Sequence, residues 1–231
     1  MKHKRRSIWV VITIVLASLV ICGALVYSAA HKHTNSPKGI SGKTDRSSNH
    51  PFVAESNSNQ PLIVTTSSVI TNRTITSTVQ SDGIGNYLYT YDLGGKPMHT
   101  VYTPDAFYQC KGADQACVKY PNDPSISNFD PGGYAFSPEK IKELKNTAKY
   151  SGQQRCPGGN STCDVWYAIS KYNTSTYYYV DTASKQIVQT IHYGRFGEGK
   201  SATKVTVKNT YTYQHVHVTV PTDYTDAPKS K

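Results

Sequence analysis

Apolar and polar positions fall into three regimes along the chain. From Ile8 to Tyr27 the residues are uncharged without a break and predominantly apolar (IWVVITIVLASLVICGALVY). From His31 to about Gln60 there is no apolar period at all. From Leu62 onward Tyr, Thr and Val alternate with polar residues, and Gly, Asn and Asp interrupt the alternation every few positions. Period two is the signature of strands with one buried face, so this third regime predicts an antiparallel sheet. Tyr87 to Tyr91 and Met98 to Tyr102 flank Asp92-Leu93-Gly94-Gly95, and Trp166 to Tyr172 and Thr176 to Val180 flank Asn173-Thr174-Ser175. Both read as hairpins. The series continues through Gln186 to Tyr193, a Gly-bounded turn at Gly194 to Gly199, Ala202 to Lys208, and Tyr213 to Val220, where Pro221 ends it. Five strands from Trp166 predict a meander. Leu62 to Gln80 is β-branched and Thr-rich and also reads as strand.

One stretch has helical period instead. Ser137 suits an N-cap and Pro138 the first helical position; Ile141, Leu144 and Ala148 share a face, and Gly152 is positioned to end the element. The expected class is therefore mainly β (α+β): a curved antiparallel sheet or half-barrel with one or two packed helices, preceded by a single N-terminal transmembrane helix.

The apolar run is long enough as a helix to span about 30 Å of hydrocarbon. Lys2, Lys4, Arg5 and Arg6 precede it, and basic flanks stay on the cytoplasmic side. The expected organisation is a cytoplasmic flank (1–7), a transmembrane signal-anchor (8–27, Ile8 to Tyr27), a flexible linker (28–60), an extracytoplasmic β-rich domain (61–224) and a disordered tail (225–231). A cleavable signal has a shorter apolar region, so length favours an uncleaved anchor, although Ser28-Ala29-Ala30 is an acceptable cleavage site. Leu19 to Cys22 resembles a bacterial lipobox, with Ile21 where a small residue belongs.

Charge changes this picture little. Of the 25 Lys and Arg, four precede the apolar run, which leaves 21 against all 15 acidic residues in the exported part. No basic cluster is interleaved with aromatics in the manner of a nucleic-acid tracker, so nucleic acid is not an expected partner. A basic surface beside a bilayer suits weak attraction to acidic polymers or headgroups.

The cysteines are more informative. Cys110-KGADQA-Cys117 and Cys156-PGGNST-Cys163 have the same spacing, and each pair brackets turn-forming residues between β-forming ones. Each reads as a hairpin whose facing positions lie within disulfide reach, in an oxidising compartment. One four-Cys zinc site is the competing arrangement, but it wants two-residue knuckles that are absent here.

Candidate chemistry is sparse. His215 and His217 lie two apart, with Tyr211 and Tyr213 continuing their face, and offer two metal ligands without a third. His31 and His33 are an isolated pair in the linker. Tyr87, Tyr89 and Tyr91 form a one-face stripe and Tyr177 with Tyr179 another; each can line a pocket or simply pack across strands. No Gly-x-Ser-x-Gly or Ser-x-x-Lys occurs, and no exported Cys is left over after two disulfides. No catalytic residue, metal site or cofactor is expected, and the chain is read as a non-enzyme. Asn72, Asn160 and Asn173 begin glycosylation-type triplets.

The segment Trp166 to Pro221, with its strand Tyr177 to Asp181 and its ending Val216 to Pro221, resembles the last strands of LolA-like and LppX/LprG-like envelope proteins. Tyr87 to Cys110 is similar to that family's upstream paired strands, and the helix from Pro138 falls at the matching interval. The resemblance implies a half-barrel whose concave face and covering helix shelter acyl chains, and hence a lipid or lipid-linked ligand. It departs from the family in lacking a long amphipathic helix before Leu62 and in carrying a membrane segment, which disfavours free shuttling across an envelope. The alternative expectation is a non-catalytic adhesion or envelope-scaffold domain that contacts protein or glycan through a tyrosine-rich sheet.

Overall fold

The computed structural model describes residues 50–70, 73–92, 97–111, 116–121, 134–170, 174–196 and 202–228. The expected membrane segment, its basic flank, the lipobox-like stretch, His31 and His33, most of the linker, Asn72 and Asn173 lie outside these residues. No described helix is long and apolar enough to cross a membrane.

Twelve strands form one sheet: β1 (Leu62–Ile70), β2 (Arg73–Ser81), β3 (Tyr87–Asp92), β4 (Pro97–Tyr102), β5 (Ala106–Lys111), β6 (Cys117–Pro121), β7 (Lys149–Arg155), β8 (Thr162–Ile169), β9 (Ser175–Asp181), β10 (Ile187–Phe196), β11 (Thr203–Tyr213) and β12 (Tyr224–Asp226). The described helix α1 (Pro138–Thr147) lies between β6 and β7 in sequence. The order is β12-β6-β5-β4-β3-β2-β1-β11-β10-β9-β8-β7, so two meanders join where β1 pairs antiparallel with β11. The two ends are not paired with each other, and the sheet is open and curved. The strands that flank α1 in sequence, β6 and β7, lie near opposite edges, and α1 packs on the face that carries Val64, Trp166 and Tyr178, which makes that face the inside.

Ser137 accepts a hydrogen bond from the backbone N of Lys140 at 3.2 Å, Pro138 opens the helix, and Ile141 and Leu144 are buried beneath it. The helix stops earlier than Gly152. Thr147 is its last residue, and the N–H of Ala148 closes it on Leu144 O at 2.8 Å. Gly152 instead belongs to β7, at φ +128°, where the register against β8 slips between Tyr150 and Gly152. A bulge favours a glycine there because side chains rarely adopt that φ.

Three further expectations are corrected. The linker does not extend to residue 60: Phe52 and Ala54 are buried in the main core, and Glu55 N donates to Lys185 O at 2.9 Å. A polar composition concealed two apolar residues whose partners lie more than a hundred positions away. Tyr213 to Val220 is not a strand. β11 ends at Tyr213, and the chain then runs as an unladdered strap with Val216 and Val218 buried against Val101, Tyr108 and the Cys110–Cys117 pair. The five-strand meander therefore runs from β7 to β11. The tail is ordered to Ala227, because β12 pairs in parallel with β6 and Ala227 N donates to Lys119 O at 2.9 Å.

Both cysteine pairs are at bonding distance, with S–S separations of 2.06 Å for Cys110–Cys117 and 2.08 Å for Cys156–Cys163. Cys110 stands directly opposite Cys117 in the β5–β6 ladder. The second pair is offset, because Cys163 faces Gln154 and Cys156 lies just past the end of β7.

Asn57 locks the cover onto the sheet. It is 2% exposed; its Oδ1 accepts from Phe136 N at 2.6 Å and its Nδ2 donates to Tyr213 Oη at 2.9 Å. Asn57→Ala leaves a buried backbone N–H without its acceptor, and chemical denaturation is expected to show a loss of about 2–3 kcal/mol. A loss below about 0.5 kcal/mol would mean that water replaces the side chain.

Candidate functional site

Register assigns each side chain to a face. One concave row runs Met98, Tyr91, Ser77, Thr66, Asn209, Thr190, Tyr178, Trp166 across eight strands. The row toward the N-terminal end of β1 carries Thr100, Tyr89, Val79, Val64 and Tyr211. That end is solid. Phe52, Ala54, Phe136, Ile141 and Leu144 pack onto Leu62, Val64, Val79, Val180, Ile187 and Tyr211, which are all buried. Phe52 meets the Trp166 ring edge-on at 5.2 Å, and Phe136 lies 5.5 Å from Tyr211.

Toward the other end of the strands the floor becomes polar while staying buried at Thr66, Ser77 and Thr190. Thr66 Oγ1 donates to Asn209 Oδ1 at 2.8 Å, and Asn209 Nδ2 donates to Thr190 Oγ1 at 3.3 Å. In the next row Thr176 Oγ1 and His192 Nδ1 are hydrogen-bonded at 2.9 Å. His192 Nε2 has no hydrogen-bond partner among the described residues, and burial holds the imidazole below its ordinary pKa. Burial therefore favours the neutral imidazole, and Nε2 is itself a buried nitrogen left unpaired among the described residues.

Aromatic side chains flank this floor. On the β3–β5 side Tyr87, Tyr89 and Tyr91 are half-buried, with Tyr89 and Tyr91 5.2 Å apart. Tyr102 stacks on Phe107 at 5.8 Å, and Phe107 on Tyr120 at 4.8 Å. Burial raises the Tyr102 phenol well above its usual pKa, helped by Tyr89 and Tyr91, so these hydroxyls converge and stay protonated. On the far side Tyr178 is pushed up to about 12, chiefly by burial. The result is a hydroxyl and amide floor between two aromatic walls. Such a surface contacts apolar chains or sugar rings through its walls and polar groups through its floor.

The residues singled out in the sequence separate accordingly. The Tyr87, Tyr89, Tyr91 stripe is concave, whereas Tyr177 and Tyr179 are convex, beside the Cys156–Cys163 pair. His215 and His217 are exposed and point away from Val216 and Val218, so they do not continue the face of Tyr211 and Tyr213. Among the described residues no group of three His, Cys, Asp or Glu could hold a metal. Thr66, Asn209, Thr190 and His192 escaped sequence reasoning, because a polar residue at every second position looks like solvent-facing sheet.

The fold and site define an open antiparallel half-barrel with a helix on its concave face and a largely buried polar row, Ser77, Thr66, Asn209 and Thr190, beside it. No family model matches the chain, and no curated protein does either. Similar solved structures include an uncharacterized conserved protein from Thermus thermophilus, 12% identical with a TM-score of 0.42, over 73% of this chain and 90% of that one. MucB is 12% identical with a TM-score of 0.38, over 73% of this chain and 58% of its own. A LolA superfamily protein from Nitrosomonas europaea is 8% identical with a TM-score of 0.29, over 72% of this chain and 90% of that one. Likeness at this level assigns no function.

Proposed function

We propose that this is a non-enzymatic, membrane-anchored extracytoplasmic domain that holds a lipid or lipid-linked ligand in the concave trough. The carrying observation is the division of the concave face: one end is sealed by Phe52, Phe136 and α1, while the other presents a hydroxyl and amide floor between aromatic walls. A wholly structural face would bury apolar residues along its whole length. An amphipathic ligand supplies what this surface lacks: an apolar body against Tyr91 and Met98 and a polar group over Thr66, Asn209 and His192.

Native mass spectrometry of the purified full chain tests this. The expected result is an acyl-containing species at one per chain, retained about tenfold less by Thr66→Val, which removes one floor hydroxyl at nearly constant volume. Equal retention by wild type and by Thr66→Val combined with Tyr91→Ala would place the lipid elsewhere and end the proposal.

A further inference from the structure

The convex face of β8 to β11 and β1 has a composition that packing does not explain. One row reads Ile169, Ser175, Tyr193, Thr206, Val69 straight across five strands. Ile169 is 57% exposed and Val69 40%. The next row adds Tyr167, Tyr177, Ile191 and Lys208. The rings of Tyr177 and Tyr193 lie 5.8 Å apart, and those of Tyr167 and Tyr177 6.0 Å. Beyond the first row Arg195 stands directly opposite Lys204, and both are exposed.

Two cations facing each other across an antiparallel pair repel, so their placement costs stability unless an anion sits over them. None comes from the described residues. Among the described residues no carboxylate pairs with Arg195, Lys204 or Lys208, and these convex rows contain no acidic side chain. The strap that covers the convex face packs over β3 to β6, on Leu88, Val101 and Tyr108, and leaves this half bare. Exposed aliphatics, tyrosines with apolar bodies and polar tips, and unpaired cations together form the chemistry of a bilayer's headgroup layer.

We propose that this convex patch docks on an anionic lipid surface, laying the sheet against the membrane and turning the concave trough away from it. Charge complementarity argues for an anionic lipid surface, because three cations without a carboxylate partner among the described residues surround exposed apolar groups. The sequence supplies proximity: the apolar run ends at Tyr27 and the folded domain has begun by Phe52, so the patch lies within a linker's length of the bilayer. The proposal goes beyond the lipid-holding reading of the trough and does not depend on it.

The test uses the full chain in a Cys22→Ala background, with a fluorophore on Thr65→Cys beside the patch or on Lys145→Cys of α1 on the opposite face. The chain is reconstituted into phosphatidylcholine vesicles, with or without about 30% phosphatidylglycerol, containing a headgroup nitroxide quencher. Only the Thr65 label in anionic vesicles should be strongly quenched. Arg195→Gln, Lys204→Gln and Lys208→Gln should each weaken the docked state about fivefold, and salt at about 1 M should abolish it. Equal quenching of both labels, or no effect of the triple variant, overturns the assignment. So does an unquenched Thr65 label in a chain that binds soluble polyphosphate through the same three cations, since the patch would then serve a polymer.

Discussion

Trp166→Ala should be the most damaging single substitution in the domain, lowering stability by about 3–5 kcal/mol in urea unfolding. Trp166 is 1% exposed in the middle of β8. Its ring meets Phe52 at 5.2 Å and Tyr150 at 5.4 Å, so it joins the pre-strand segment, the edge strand β7 and the sheet in one contact set. Truncation leaves a cavity that three separate elements would have to collapse to fill. Tyr167, the next residue, points to the convex side and is half-buried. Tyr167→Ala is therefore expected to cost only about 1 kcal/mol. Equal costs for the two would contradict the assignment of inside and outside on which both proposals rest.

Reduction of both disulfides is the second large effect. Each closes a short loop, with a sequence separation of 7. Loop-closure entropy then contributes about 2.5 kcal/mol per bond, or about 5 kcal/mol for the pair. The four sulfurs are buried in different places: Cys110 and Cys117 beneath the strap, Cys156 and Cys163 under Tyr179. Their effects should therefore add. Denaturation with and without a thiol reductant, compared with the Cys156→Ser, Cys163→Ser double variant, reads both quantities. The variant should lose about half of what full reduction costs. Four free thiols in native material would show instead that the domain does not reside in an oxidising compartment.

How far the sequence speaks can be followed residue by residue. The hairpins around Gly94-Gly95 and between Trp166 and Val180, the Ser137 cap with Pro138, and the paired cysteine spacings were legible because each depends on neighbours within a few positions. Leu62 to Gln80 read as strand for the same reason and forms β1 and β2. Missed or misplaced features depend on distant partners. Phe52 gains meaning from Trp166; Lys149 to Arg155 looks like a helix exit until β8 supplies a ladder; and Tyr213 to Val220 alternates like a strand yet crosses over the sheet as a strap.

The tyrosines show where the division falls. Tyr87, Tyr89 and Tyr91 have the same period as Tyr177 and Tyr179, and local sequence constrains both sets equally: alternate residues must share a face. It does not say which face. That choice is one parity for the whole sheet, set when Phe52, Phe136, Ile141 and Leu144 cover one side and Val216 and Val218 cross the other. The chain's pattern thus determined a disulfide-closed antiparallel sheet with one capped helix. Only tertiary packing decided which stripe faces the concave side and which cations face the convex side, because burial against remote residues gives a face its free energy, and alternation leaves its sign open.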